Sequence, residues 1–242
     1  MTTAIIIPSR YASTRLPGKS LADIKGKPLV QWVFEACKKV ENISRVIIAT
    51  DHDKVFNASK AFGADVRMTS TDHKSGTDRC AEVAESLNCD YIINVQGDEP
   101  FIDPTHLQAM NTYLYNHPEI DILTLYHEIS EESEILNPSN VKLTKTLKQK
   151  VLYFSRSIIP YNRNKSKTPY YKHVGIYAFK KEVLLEIAKL EPSLLENKES
   201  LEQLRWLENG YNIYGLEIKG TSIGVDTAQD LEDARNFLEN HY

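Results

Sequence analysis

An α/β fold is predicted, with a mostly parallel sheet covered on both faces and a mixed-sheet lobe inserted late in the chain. Three observations carry it. Short apolar runs alternate with helix-like segments through the N-terminal half. Those runs lack the polar alternation of a strand with one wet face. The second half then changes to alternating, β-rich stretches.

Taken in order, Ala4–Pro8 (AIIIP) reads as a buried strand and Pro28–Val40 as an amphipathic helix opened by proline. Arg45–Thr50 is the next strand, with a helix at Asp53–Phe62. Asp65–Met68 is a weaker strand, a polar loop leads to a helix over Thr77–Leu87, and Tyr91–Val95 (YIINV) is a strong strand. Beyond it, strands are predicted at Asp121–His127, Lys150–Arg156, Tyr171–Phe179 and Tyr211–Leu216. Ser130–Pro138 and Asn162–Thr168 read as polar loops. Helices are predicted at Lys181–Leu190, Leu194–Asn209 and Thr227–Glu239, with Leu201, Leu204 and Leu207 as a core stripe that leaves Glu202 and Gln203 off that face.

At 242 residues with 41% hydrophobic content and a formal net charge of −4, the chain suits one globular domain and excludes disorder. No apolar run approaches the ~20 residues that span a bilayer. No secretory leader is readable, and three widely spaced cysteines do not form a disulfide framework. A soluble cytoplasmic protein is expected. Charge is uneven: residues 1–40 hold seven basic against two acidic side chains, while the remainder is net acidic. A local basic patch on an acidic protein fits a small anion better than a nucleic acid, which needs a broad basic face.

Several nucleotide motifs are absent. No two of the ten glycines are separated by a single residue, so the dinucleotide fingerprint cannot occur. Two glycine pairs have P-loop spacing but lack the Lys-Ser/Thr that follows, and there is no C-x-x-C.

What is present lies after strands, where open α/β sheets bind ligands. Pro8–Lys19 (PSRYASTRLPGK) follows the first strand with three permanent cations, Arg10, Arg15 and Lys19, and no carboxylate. Such a loop can hold a triphosphate and neutralise departing pyrophosphate. Gln96-Gly97-Asp98-Glu99-Pro100 follows YIINV and offers Asp98 for Mg²⁺, which takes one or two carboxylates plus phosphate oxygens. Gly224-Val225-Asp226-Thr227 offers a second carboxylate. Each acid also fits a helix cap. The polar turn Thr71–Arg79 opens a helix, where backbone N–H groups can receive a base or phosphate. In the second half Arg156, His173, Tyr177, Glu202 and Gln203 suit a carboxylated, polyhydroxylated sugar.

PSRYASTRLPGK, ATDHD, the element at His73–Arg79, NVQGDEP, YFSR, HVGIY, LEQLR and GVDT occur in order from residue 4 to about 235. Together they closely resemble the 3-deoxy-manno-octulosonate (Kdo) cytidylyltransferase family, the CMP-Kdo synthetases of lipopolysaccharide synthesis. The resemblance implies a Rossmann-like nucleotidyltransferase core over about 1–120 and 217–242. It implies a sugar-binding and dimerisation lobe over about 121–216. It further implies an enzyme using CTP and Mg²⁺, as a cytoplasmic homodimer, to form CMP-Kdo and pyrophosphate.

Carried over by position, Pro8, Ser9, Arg10, Lys19, Ser75, Gly76, Arg79, Gln96 and Asp98 match the nucleotide site. Asp98 and Asp226 match the metal-binding aspartates, and Arg10, Arg15 and Lys19 complete the catalytic set. Arg15, Gln96, Arg156, His173, Tyr177, Glu202 and Gln203 match sugar-side positions. The usual Ala after Pro8 is Ser9 here, and the usual Glu before Arg79 is Asp78. The second change leaves 8-amino-Kdo open as the acceptor. CMP-sialate synthesis, another sugar nucleotidyl transfer, a nucleotide-binding regulator and a glycosyltransferase are the competing readings.

Overall fold

A computed structural model describes residues 1–12, 16–220 and 224–241, with side chains as far as Phe237. In chain order the elements begin β1 (Thr3–Pro8), a 3-10 turn (Lys19–Leu21), β2 (Asp23–Ile24), β3 (Lys27–Pro28) and α1 (Leu29–Cys37). There follow β4 (Ile43–Thr50), α2 (Asp53–Ala61), β5 (Asp65–Met68), α3 (Gly76–Glu85), β6 (Tyr91–Asn94) and α4 (Pro104–Asn116). Next come β7 (Ile122–Ile129), α5 (Glu132–Leu136), β8 (Lys142–Lys145), β9 (Val151–Ser155) and β10 (Tyr170–Lys180). The chain ends with α6 (Lys181–Ile187), α7 (Leu194–Glu199), α8 (Gln203–Glu208), β11 (Ile213–Glu217) and α9 (Ala228–His241). These divide into two compact units, Met1–Tyr113 with Ser222–Tyr242, and Leu114–Thr221.

In the first unit β1 lies between β6 and β4, β5 adds beyond β4, and these three pairings are parallel, while β2 and β3 form a separate antiparallel pair. Ile5, Ile6, Ile7, Ile47, Ile48, Ile92 and Ile93 are fully buried. The β-branched side chains pack on both faces of the pleat, as parallel strands require. Because the strands run one way, the loops that leave them emerge along one edge. Backbone bonds draw those loops together: Ser9 N–H donates to Ala49 O (2.8 Å), Val95 N–H to Ile6 O (3.1 Å), and Gly97 N–H to Pro8 O (3.3 Å).

In the second unit β7 pairs parallel with β11 and antiparallel with β10. β8 lies antiparallel to both β10 and β9. The sheet there is mixed, as the sequence predicts. Tyr126, Phe154, Phe179 and Trp206 fill its core.

Several elements differ from the sequence reading: the polar segment Ser130–Pro138 holds the short helix α5, and the short strands β2 and β3 were not predicted. α4 was not anticipated, although Leu107, Met110 and Leu114 recur at helical spacing and are fully buried. Asp103 caps it, accepting from Thr105 N–H at 2.8 Å. The single helix expected over Leu194–Asn209 is two, because Ser200 turns left-handed (φ 51°) and ends α7. That break resets the helical phase, so Gln203 is buried beside Leu204, and Leu207 is left half-exposed. β8 carries the buried Lys142, whose charge masks it as a strand. Its ammonium donates to the carbonyls of Asn137, Asn140 and Arg156.

Candidate active site

The loop after β1 is fixed by its own backbone. Gly18 N–H donates to Tyr11 O at 3.2 Å, and Ser20 Oγ donates to Arg10 O at 2.9 Å. The Ser9 hydroxyl, buried, lies 3.2 Å from Ser20 Oγ. Gly97 meets this loop so closely that a Cβ there would stand 2.6 Å from Ser9 Oγ and 2.8 Å from Pro8 O. Only glycine permits that approach. Arg15 lies outside the described residues.

Lys19 closes the loop on two carboxylates. Its Nζ donates to Asp98 Oδ2 at 2.6 Å and to Asp226 Oδ1 at 2.9 Å. Burial disfavours the ammonium, but the two carboxylates outweigh it and hold Lys19 above its usual pKa. Asp226 arrives from the far end of the chain because Val225 N–H donates to Asp98 O at 2.8 Å. Thr227 and Asp230 form a cap at the start of α9. Thr227 Oγ1 accepts from Asp230 N–H, and the Asp230 carboxylate takes Asp226 N–H and Thr227 N–H.

On the other flank, α3 starts with a capping box. Ser75 Oγ accepts from Asp78 N–H and the Asp78 carboxylate accepts from Ser75 N–H, both at 3.1 Å. Asp78, one of the two departures from the usual pattern, therefore has its carboxylate turned to the backbone. Glu82 holds the preceding turn: it accepts from Ser70 N–H at 2.9 Å and pairs with His73 Nε2. Burial would raise the Glu82 carboxyl, yet those two donors keep it below the usual range.

Between these flanks lies a cavity of about 300 Å³, inside the first unit. Pro8, Ser9, Arg10, Lys19, Ser75, Gly76, Arg79, Gln96, Asp98 and Asp226 all line it. So do Gly97, read from the sequence as a point of close backbone approach, and Ser20, His73 and Lys74, which sequence reasoning did not select. His73, Lys74 and Gly97 stand inside motifs that had been read; Ser20 gave no signal. Four cationic side chains against two carboxylates leave the walls net positive. That suits a polyanion held beside a cation-binding carboxylate pair.

The second unit gathers most of the remaining predicted residues. His173 lies 5.3 Å from the Tyr177 ring and 4.9 Å from Phe154. Its Nε2 is 3.0 Å from Thr124 Oγ1, and burial pulls the imidazole down to about 3. Burial, followed by the charge of Glu202, pushes the Tyr177 phenol well above its usual value. Arg156 is turned onto the α7–α8 junction, donating to the carbonyls of Glu199 (2.6 Å), Ser200 (3.3 Å) and Pro138 (3.1 Å). Gln203 is buried in the same unit.

A family model described as cytidylyltransferase matches residues 4–218. The 3-deoxy-manno-octulosonate cytidylyltransferase of Parabacteroides distasonis is 47% identical over 247 aligned residues, covering 97% of each chain. That of Escherichia coli is 46% identical over 234, covering 97% of this chain and 95% of the other. A solved CMP:2-keto-3-deoxy-manno-octonic acid synthetase in complex with CTP superposes with a TM-score of 0.96 over all of both chains, at 44% identity. The parallel core, the cationic loop and this similarity agree: the chain belongs to the cytidylyltransferase family, and within it to the 3-deoxy-manno-octulosonate cytidylyltransferases.

Proposed function

We propose that this protein transfers the cytidylyl group of CTP to Kdo, releasing pyrophosphate. The observation that carries the reading is a single cavity with a cationic loop and a carboxylate pair joined through Lys19. The chemistry forms a bond from the sugar's C2 hydroxyl oxygen to the α-phosphorus as that hydroxyl loses its proton to solvent. The bond from that phosphorus to the bridging oxygen breaks, and pyrophosphate leaves with the electron pair. Such transfers depend on positioning and charge stabilisation more than on covalent work by the protein.

Arg10 and Lys19 are the groups proposed to neutralise charge on the departing pyrophosphate. Pro8, Ser9, Ser75, Gly76, Arg79 and Gln96 are proposed to bind the rest of the nucleotide. Asp98 and Asp226 fit a Mg²⁺ ion, since they supply hard oxygens already converging on one cation. When bound, Mg²⁺ supplies charge neutralisation at the phosphates and acidity to the attacking hydroxyl. For the sugar acid we propose Arg15, Gln96, Arg156, His173, Tyr177, Glu202 and Gln203, guanidinium meeting carboxylate and the others meeting hydroxyls.

A homodimer in the cytoplasm completes the proposal. It is supported by Leu152, Ile158 and Tyr161, apolar and exposed on β9 and the segment after it, and by Cys37, Cys80 and Cys89, which form no disulfide. Pyrophosphate release is the test, measured with CTP and Mg²⁺ against Kdo, 8-amino-Kdo and sialic acid in turn. Release that requires both CTP and Kdo is expected. Release with 8-amino-Kdo or sialic acid alone moves the acceptor, and nucleotide binding without release overturns the reading.

A further inference from the structure

We propose that Asp51 is a positioning residue for the nucleotide, acting through Arg79; this rests on the nucleotide reading of the cavity given above. Asp51 is the first residue past β4, in the ATDHD stretch to which no role has been given. It does not line the cavity, so it acts at one remove. Arg79 does line it, and its side chain is only 4% exposed.

The guanidinium is held from behind. Nη2 donates to Asp51 Oδ2 at 2.7 Å, while Nη1 donates to Thr69 Oγ1 and to Ser70 O at 3.3 Å. Nε–H and the second Nη2–H have no protein acceptor among the described residues. These are the donors Arg79 has for a ligand.

Charge decides what kind of group they meet. Among the described residues, Asp51 pairs with Arg79 directly, and Glu82, one turn along α3, is held by Ser70 N–H and His73. The Asp51–Arg79 pair is neutral as a unit, whereas Arg10 and Lys74 on the same cavity have no ion-pair partner among the described residues. A neutralised, rigid fork offers direction without net attraction for phosphate. Arg79 is thereby set to read a neutral acceptor of the nucleoside, and the triphosphate is left to the other cations. Without Asp51 a buried guanidinium would turn to the strongest anion in reach, the triphosphate.

The test compares wild type with Asp51→Asn, which keeps the shape and removes the charge. The KM for CTP is expected to rise about tenfold, the scale of one charge-assisted hydrogen bond, with kcat within about threefold and the KM for Kdo unchanged. Calorimetry should show CMP binding weakened in parallel and inorganic triphosphate binding unchanged or tighter. That divergence is what a merely structural role would not produce. An unchanged KM for CTP, or CMP and triphosphate weakened together, overturns the inference. If Asp51→Asn does not fold, Asp51→Glu carries the test: the same divergence supports it and parallel losses refute it. Wild type lacking CTP- and Kdo-dependent release would instead defeat the underlying functional reading.

Discussion

Lys19→Met tests the proposed ion site without relying on turnover. The Lys19 ammonium sits on the same oxygens, Asp98 Oδ2 and Asp226 Oδ1, that a divalent ion would use. An ion therefore binds the free protein only by displacing that ammonium. Charge-assisted hydrogen bonds contribute about 1.5–3 kcal/mol when shielded. Asp226 is 46% exposed, so solvent screening brings the two contacts together to about that same range. Removing the ammonium should then tighten Mn²⁺ binding to nucleotide-free protein by about 10–100-fold. Spin resonance of free Mn²⁺ during a titration measures it directly. Turnover in the same variant should fall by ~10²–10³, since a donor to the leaving group is gone. A cooperatively melting Lys19→Met protein whose Mn²⁺ affinity is unchanged or weaker would refute the shared-oxygen argument.

Asp98→Asn should lower turnover by at least ~10³ while leaving the melting curve intact, and near-normal pyrophosphate release would reject the metal role. Gly97→Ala pushes a methyl against Ser9 Oγ and Pro8 O, displacing the loop; kcat/KM for CTP should fall ~10²-fold, and a neutral result would show the approach to be relaxed. Burial pulls the His173 imidazole from its ordinary 6.5 down to about 3 in the folded state. The folded state thus binds fewer protons between those values, so its contribution is complete above pH 6.5 and is lost as pH falls toward 3. The slope is up to ~1.4 kcal/mol per pH unit. Urea unfolding at pH 7 and pH 5 should show that loss in wild type and less of it in His173→Gln; equal slopes would assign it elsewhere. Light scattering at micromolar concentration should give twice the chain mass, and Leu152→Lys with Tyr161→Lys should shift it toward one.

The core was readable because isoleucine runs between turn signals leave few alternatives to buried parallel strands. The cationic loop was readable for the same reason: it follows the first of those strands. What the sequence could not supply was partnership. Asp98 and Asp226 each fit a helix cap, and only the fold shows the Val225–Asp98 backbone bond that joins their segments and the separate Thr227–Asp230 cap. Glu82 stood out in no motif and Asp51 stood in ATDHD without a role, since their meaning lies in the polar groups they face. α4 shows the opposite case, a signal present at Leu107, Met110 and Leu114 yet overlooked behind a proline and polar neighbours. Ser200 shows a true limit: a left-handed serine inside a helix-forming stretch is set by tertiary context.

Lys19 and Asp226 are separated by 207 positions. At ~5–20 residues per second of synthesis, the emerging polypeptide carries its first half of the ion pair for roughly 10–40 s before the second is made. The isoleucine strands can associate during that interval, but the machinery for chemistry is assembled only when the last helix is delivered. A ribosome that stalls late would therefore release something folded in its middle and inert.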